Sequence, residues 1–189
     1  MNTQQLLVDC LLYAVLPLWL LAGLADYWCH RRTAISVTSG FHESALHLLQ
    51  AAQIGIALLA GLFLEINAAV LAVTLTCLVA HTATAAWDVS YTFGRRHIPP
   101  FEQQVHGYLE VLPFMAASVV AILYWPQFLA LLGMGDIPAD FSLRLKSSPI
   151  PARYLITIIA AVLVLDFIPL LEELRRTWRG RQAGFATMR

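Results

Sequence analysis

Five apolar runs, each near the length needed to cross a lipid bilayer, constrain this chain more than any other feature. A helix rises about 1.5 Å per residue, so the hydrocarbon layer takes roughly 20 apolar residues to cross. The runs lie at about 5–27, 44–64, 66–92, 102–132 and 153–174. Lipid offers backbone polar groups no water, so each run must close its hydrogen bonds internally as a helix. The expectation is an all-α integral membrane protein, a single domain over residues 1–189 with about five transmembrane helices forming a bundle. Composition agrees, since only 13% of the 189 residues are charged against about 25% in soluble domains. Formal net charge is zero, so no global field draws nucleic acid, and the partner expected first is the bilayer.

The connections differ in kind. Glu65-Ile66-Asn67 makes a very tight turn between the second and third runs, whereas 133–152 is the longest loop. The basic tail from Arg175 is expected to fray, and Pro113 and Pro169 are expected to kink their helices. Cys10, Cys29 and Cys77 lie in or beside apolar segments without paired spacing. Neither a disulfide framework nor a cysteine metal motif is expected from them. No positive charge precedes the first run, which therefore reads as a retained helix rather than a cleaved leader.

Cytoplasmic loops retain Lys and Arg. Arg31/Arg32, Arg95/Arg96 and the tail arginines 175, 176, 179 and 181 fall on one side of a five-span arrangement. Arg144, Lys146 and Arg153 on the other side weaken the contrast without reversing it. The N-terminus is thus predicted outside and the C-terminus cytoplasmic, in a membrane that reads as the bacterial cytoplasmic one.

All six histidines map to the cytoplasmic side: His30, His42, His47, His81, His97 and His106. Ionisable residues are costly inside a membrane and mark sites. Asp26/His30, Glu43/His47, Glu102/His106 and His106/Glu110 are each four apart, which places each pair on one helix face. His81 and Asp88 are seven apart, two turns along one face. The first hairpin (Asp26, Arg31-Arg32, Glu43, His47) is echoed in the second (Asp88, Arg95-Arg96, Glu102, His106), as a duplicated two-helix unit would be.

Inward His and carboxylates on facing helices are how bundles hold metals. The predicted ligands are Asp26, His30, Glu43, His47, His81, Asp88, Glu102, His106 and Glu110, with Asp166 and His42 in support. Glu43, Asp88 and Glu102 are the candidate catalytic carboxylates. Mixed N/O ligation suits iron, with zinc or manganese as alternatives, and the number of donors suits two ions. The function expected is a non-haem di-iron hydroxylase or desaturase, with a lipid-like substrate and an electron donor as partners. In chemical style this is similar to the membrane desaturases and hydroxylases, although their HxxxH and HxxHH boxes are absent. The alternatives are a zinc-dependent hydrolase of a lipid amide or ester and a b-type cytochrome or other electron carrier. Transport fits less well, because the polar residues crowd one side instead of lining a path.

Overall fold

The computed structural model describes residues 2–187. Among them the extended pairing is confined to an isolated antiparallel bridge between Leu64 and Leu145, and the rest is helix and connections. Five helices are long and apolar enough to cross a membrane: α1 (Thr3–Arg32), α2 (Gly40–Phe63), α3 (Ala68–Thr92), α4 (Pro100–Leu123) and α6 (Ala152–Gln182). A short α5 (Trp125–Leu131) follows α4. Large apolar side chains such as Leu21, Ile56, Val79, Phe114, Ile122 and Ile156 are exposed around them. So much exposed apolar surface marks a face meant for something other than water.

Prolines set the breaks. Pro17 and Pro169 have no N–H to donate, and their rings crowd the carbonyls four residues back. In both helices the backbone widens just ahead into a π turn, Leu11–Val15 in α1 and Leu163–Phe167 in α6, one of the recognised ways a helix absorbs such an interruption. Pro113 stays inside a continuous α4. Pro126 ends the helix instead: the chain turns at Tyr124 (φ −115°, ψ 37°) and restarts as α5. The single run expected over 102–132 is therefore two helices.

The tail also departs from expectation, because α6 continues as helix to Thr187. One of its faces is buried there. Glu173 and Thr177 are fully enclosed, Gly180 lies against the Ser36 carbonyl, and Trp178 meets Phe41 edge-on at 5.0 Å.

Packing closes a ring. α1 packs on α4 and α6, α4 on α3, α3 on α2, and α2 on α6. At one end the long 133–151 connection is strapped across the α2–α3 turn. Asn67 Nδ2 donates to Ser142 O (2.7 Å) and the Ser147 N–H to Glu65 Oε1 (2.7 Å). The Lys146 N–H donates to Phe63 O (2.9 Å) and the Glu65 N–H to Arg144 O (2.9 Å). These bonds occupy backbone groups that an irregular segment would otherwise leave unpaired. The opposite end carries the polar side chains.

Candidate metal centre

Each of the five spans contributes to one buried cluster. α1 brings Asp26 and His30, α2 Glu43 and His47, α3 Asp88, α4 Glu102 and His106, and α6 Glu173; Arg96 enters from the α3–α4 turn. Helical spacing accounts for the paired donors, since residues four apart project from one face.

Glu173 organises the centre. Its Oε2 lies 3.0 Å from His30 Nδ1 and its Oε1 lies 3.4 Å from His47 Nδ1. The two imidazoles stack, with ring centroids 4.5 Å apart and planes 11° from parallel. Both Nδ1 atoms face Glu173; in the neutral tautomer that donates to it from Nδ1, both Nε2 atoms would keep lone pairs free for a cation. This carboxylate–imidazole arrangement typically orients metal-ligating histidines.

Both Nε2 atoms face further carboxylates. His30 Nε2 lies 3.4 Å from Asp26 Oδ1 and 3.4 Å from Glu102 Oε1, and Asp26 Oδ1 lies 2.9 Å from His106 Nε2. His47 Nε2 lies 3.0 Å from Asp88 Oδ2 and 4.0 Å from Glu43 Oε1. Donor atoms of Asp26, His30, Glu102 and His106 fall within 4.8 Å of one another, and so do those of His30, Glu43 and His47. Adjacent ligands on an ion bound at about 2.1 Å stand roughly 3 Å apart, near the 2.9–3.4 Å separations here, which hydrogen bonds also span.

Charge points the same way. Asp26, Glu43, Asp88, Glu102 and Glu173 are all buried. Arg96 is the guanidinium among them, with Nη2 2.5 Å from Glu43 Oε1 and 2.6 Å from Glu102 Oε1. Packing between those two carboxylates raises its pKa further above an already high value. Five carboxylates against one guanidinium leave four negative charges, a burden no low-dielectric interior carries unpaired. Two divalent cations would cancel it with all three imidazoles neutral. Without metal, the same balance takes four protons, one on each imidazole and one on a carboxylate. Several acceptors also lack hydrogen-bond partners, among them Glu102 Oε2 and Asp88 Oδ1, and so does His30 Nε2. Buried atoms of that kind call for an explanation, and bound cations supply one.

No protein-family model, curated protein or solved structure matches the chain.

The remaining predicted residues stand elsewhere. His81 is buried on α3, but its ring lies against the carbonyls of Gln50, at 3.4 Å, and Leu109. Leu109 is four residues before Pro113, whose missing N–H leaves that carbonyl without its helical donor. His81 thus faces backbone carbonyls and not the cluster, its Nε2 buried without a hydrogen-bond partner. It shares a face with Asp88 but lies about 10 Å farther along the axis, too far to reach the same centre. Glu110 is exposed on α4. His42 sits against Tyr91 (4.3 Å) and Trp87 (5.7 Å), outside the cluster. Asp166, in the α6 π turn, lies where a Cβ on Gly23 would overlap its carboxylate, and its Oδ2 is buried without a hydrogen-bond partner. That places it about two turns from Glu173 rather than beside the centre.

Two central residues escaped the sequence reading. Glu173 sits in a Glu-Glu-Leu-Arg-Arg stretch that looks like a solvated helix end, yet it is seven residues from Asp166 and shares its face. Arg96 looked like a topology determinant, as Arg95 is: Arg95 lies exposed over the Tyr91 ring at 4.1 Å while Arg96 turns inward.

Proposed function

We propose that the chain is a membrane-embedded oxidoreductase that holds two metal ions, iron in the first place, and hydroxylates or desaturates a lipid-like substrate. The observation that carries the reading is the pair of stacked imidazoles, oriented by one carboxylate, with each Nε2 facing further carboxylates. One ion would be held by His30, His106, Asp26 and Glu102, a set that contains the two-histidine, one-carboxylate triad suited to ferrous iron and O₂. The other would be held by His47, Asp88 and Glu43. Arg96 fixes Glu43 and Glu102 in position, and Glu173 holds the histidine tautomers. In hydroxylation a substrate C–H and O₂, with two electrons and two protons from a donor, yield C–OH and water. The bound metal supplies the activation of O₂. The surrounding protein excludes bulk water.

Topology supports the assignment of a donor. With the N-terminus outside and the C-terminus in the cytoplasm, as the arginine distribution favours, the centre lies near the face where soluble reductants are found.

The test is elemental analysis of protein purified in lipid, together with O₂ uptake on addition of reductant. About two iron per chain is expected. His47→Ala should lose metal and uptake, whereas His81→Ala should retain its full metal content. Correctly folded protein without transition metal sinks the reading. Zinc without redox activity turns it toward hydrolysis.

A further inference from the structure

The half of the ring away from the metal centre encloses a cavity of about 350 Å³, lined by α1, α2, α3, α4 and the strap. Leu16, Trp19, Leu58, Gly61, Leu112 and Ala117 are among its walls. The volume falls at the small end of ligand pockets and holds one hydrocarbon chain, the cavity being open on one side. Along α4 the lining runs from Leu112 to Tyr124, about 18 Å at the helical rise, the reach of an extended chain of about a dozen carbons.

The two ends of the cavity differ. Lys146, Ser148 and Tyr124 line the end at the strap. Lys146 Nζ donates to the Leu64 carbonyl at 2.8 Å, and among the described residues no carboxylate lies within ion-pair distance. The deep end is apolar apart from Trp19, whose Nε1–H is buried without an acceptor. Trp19, Ile54 and Leu112 lie six or seven residues from Asp26, His47 and His106, about 10 Å along their helices. Gly61 adds room, since a Cβ built there meets nothing within 4 Å.

We propose that this cavity binds a single-chain fatty carboxylate, its head at Lys146 and its methyl end at Trp19, pointing down the bundle axis at the metal centre. The proposal rests on the oxidoreductase reading for its consequence, which is that the methyl end is the part of the bound chain nearest the centre and the first to reach it if the chain slides deeper. One ammonium suits a singly charged carboxylate better than a phosphate monoester.

Dodecanoate carrying a diazirine next to its terminal methyl tests this. It is irradiated with the full-length protein in phosphatidylcholine nanodiscs, the label is mapped by peptide mass, and metal content is measured on the same samples. Label is expected around Trp19, Ile54 and Leu112. It should be competed by dodecanoate, less by dodecyl phosphate, and not by dodecyltrimethylammonium. Gly61→Phe, or the gentler Gly61→Leu, should abolish it. Lys146→Gln should weaken it about tenfold, as loss of a charge-assisted contact does. Label spread over lipid-facing residues such as Ile56 and Phe114, or unchanged by filling at Gly61, overturns the cavity as the site. Stronger competition by the phosphate or the ammonium overturns the carboxylate assignment. The two readings fail separately: a labelled cavity in metal-free protein keeps the ligand site and removes the oxidoreductase, and metal-loaded protein without cavity label does the reverse.

Discussion

Arg96 and Glu172 both make ion pairs at the polar end of the bundle, and burial separates their worth. The Arg31–Glu172 pair, at 3.1 Å, is about half exposed on both sides, so water screens it and its loss should be nearly silent. Arg96 and its partners Glu43 and Glu102 are almost wholly enclosed. Removing one member of a buried pair leaves an uncompensated charge, which costs about 3–5 kcal/mol. Arg96→Gln is therefore expected to destabilise metal-depleted protein by about 3 kcal/mol, whereas Arg31→Gln should stay within about 0.5 kcal/mol. Denaturant titration in mixed micelles reads both. Equal effects would mean that the carboxylates around Arg96 are neutral. At this scale the sequence is legible wherever spacing fixes a face, as with Asp26/His30, Glu43/His47 and Glu102/His106. It is not legible where the decision is one of depth. His81 and Glu173 each lie seven residues from a residue on the same face, yet only the second reaches the centre.

At the level of elements, hydropathy located the spans because lipid forces continuous helix on any apolar run of sufficient length. It could not locate the π turns, which come from a proline acting on the turn before it, nor the continuation of α6, which comes from packing against Ser36 and Phe41. The strap was equally hidden, since its order comes from hydrogen bonds to another hairpin. Glu65 is its titratable part. Accepting from the Ser147 N–H lowers the Glu65 pKa, and Lys146 and Arg144 assist. A carboxylate with a lowered folded pKa stabilises above its ordinary value and loses that contribution as pH falls through the folded one. Protection of the Ser147 amide, corrected for intrinsic exchange, should therefore hold steady from neutral pH down through the ordinary glutamate range and decline only in more acidic solution. Glu65→Gln should show the acid level of protection already at neutral pH. Protection independent of both pH and substitution would dissociate Glu65 from the strap.

Across the whole molecule the two hairpins exchange partners. Asp26 of the first meets His106 of the second at 2.9 Å, and Asp88 of the second meets His47 of the first at 3.0 Å. Arg96 spans the corresponding glutamates, Glu43 and Glu102, at nearly equal distances. The sequence echo thus reappears as an approximate two-fold arrangement, with α1 packed on α4 as α3 is on α2. Two features break it. The position four residues after Asp26 is His30, whereas the one four residues after Asp88 is Thr92, and α6 packs against α1 and α2 to supply Glu173. Metal binding should follow this division. On the two-ion reading His106 would serve only the ion on the Asp26 side, so His106→Ala should leave about one metal per chain. Glu173 touches both stacked rings, so Glu173→Ala should release both ions, because neither His30 nor His47 would keep its orientation. Metal-to-protein ratios of folded, monodisperse variants decide between these outcomes. If His106→Ala and Glu173→Ala lose metal to the same extent, the centre is a single unit and its division into two subsites fails.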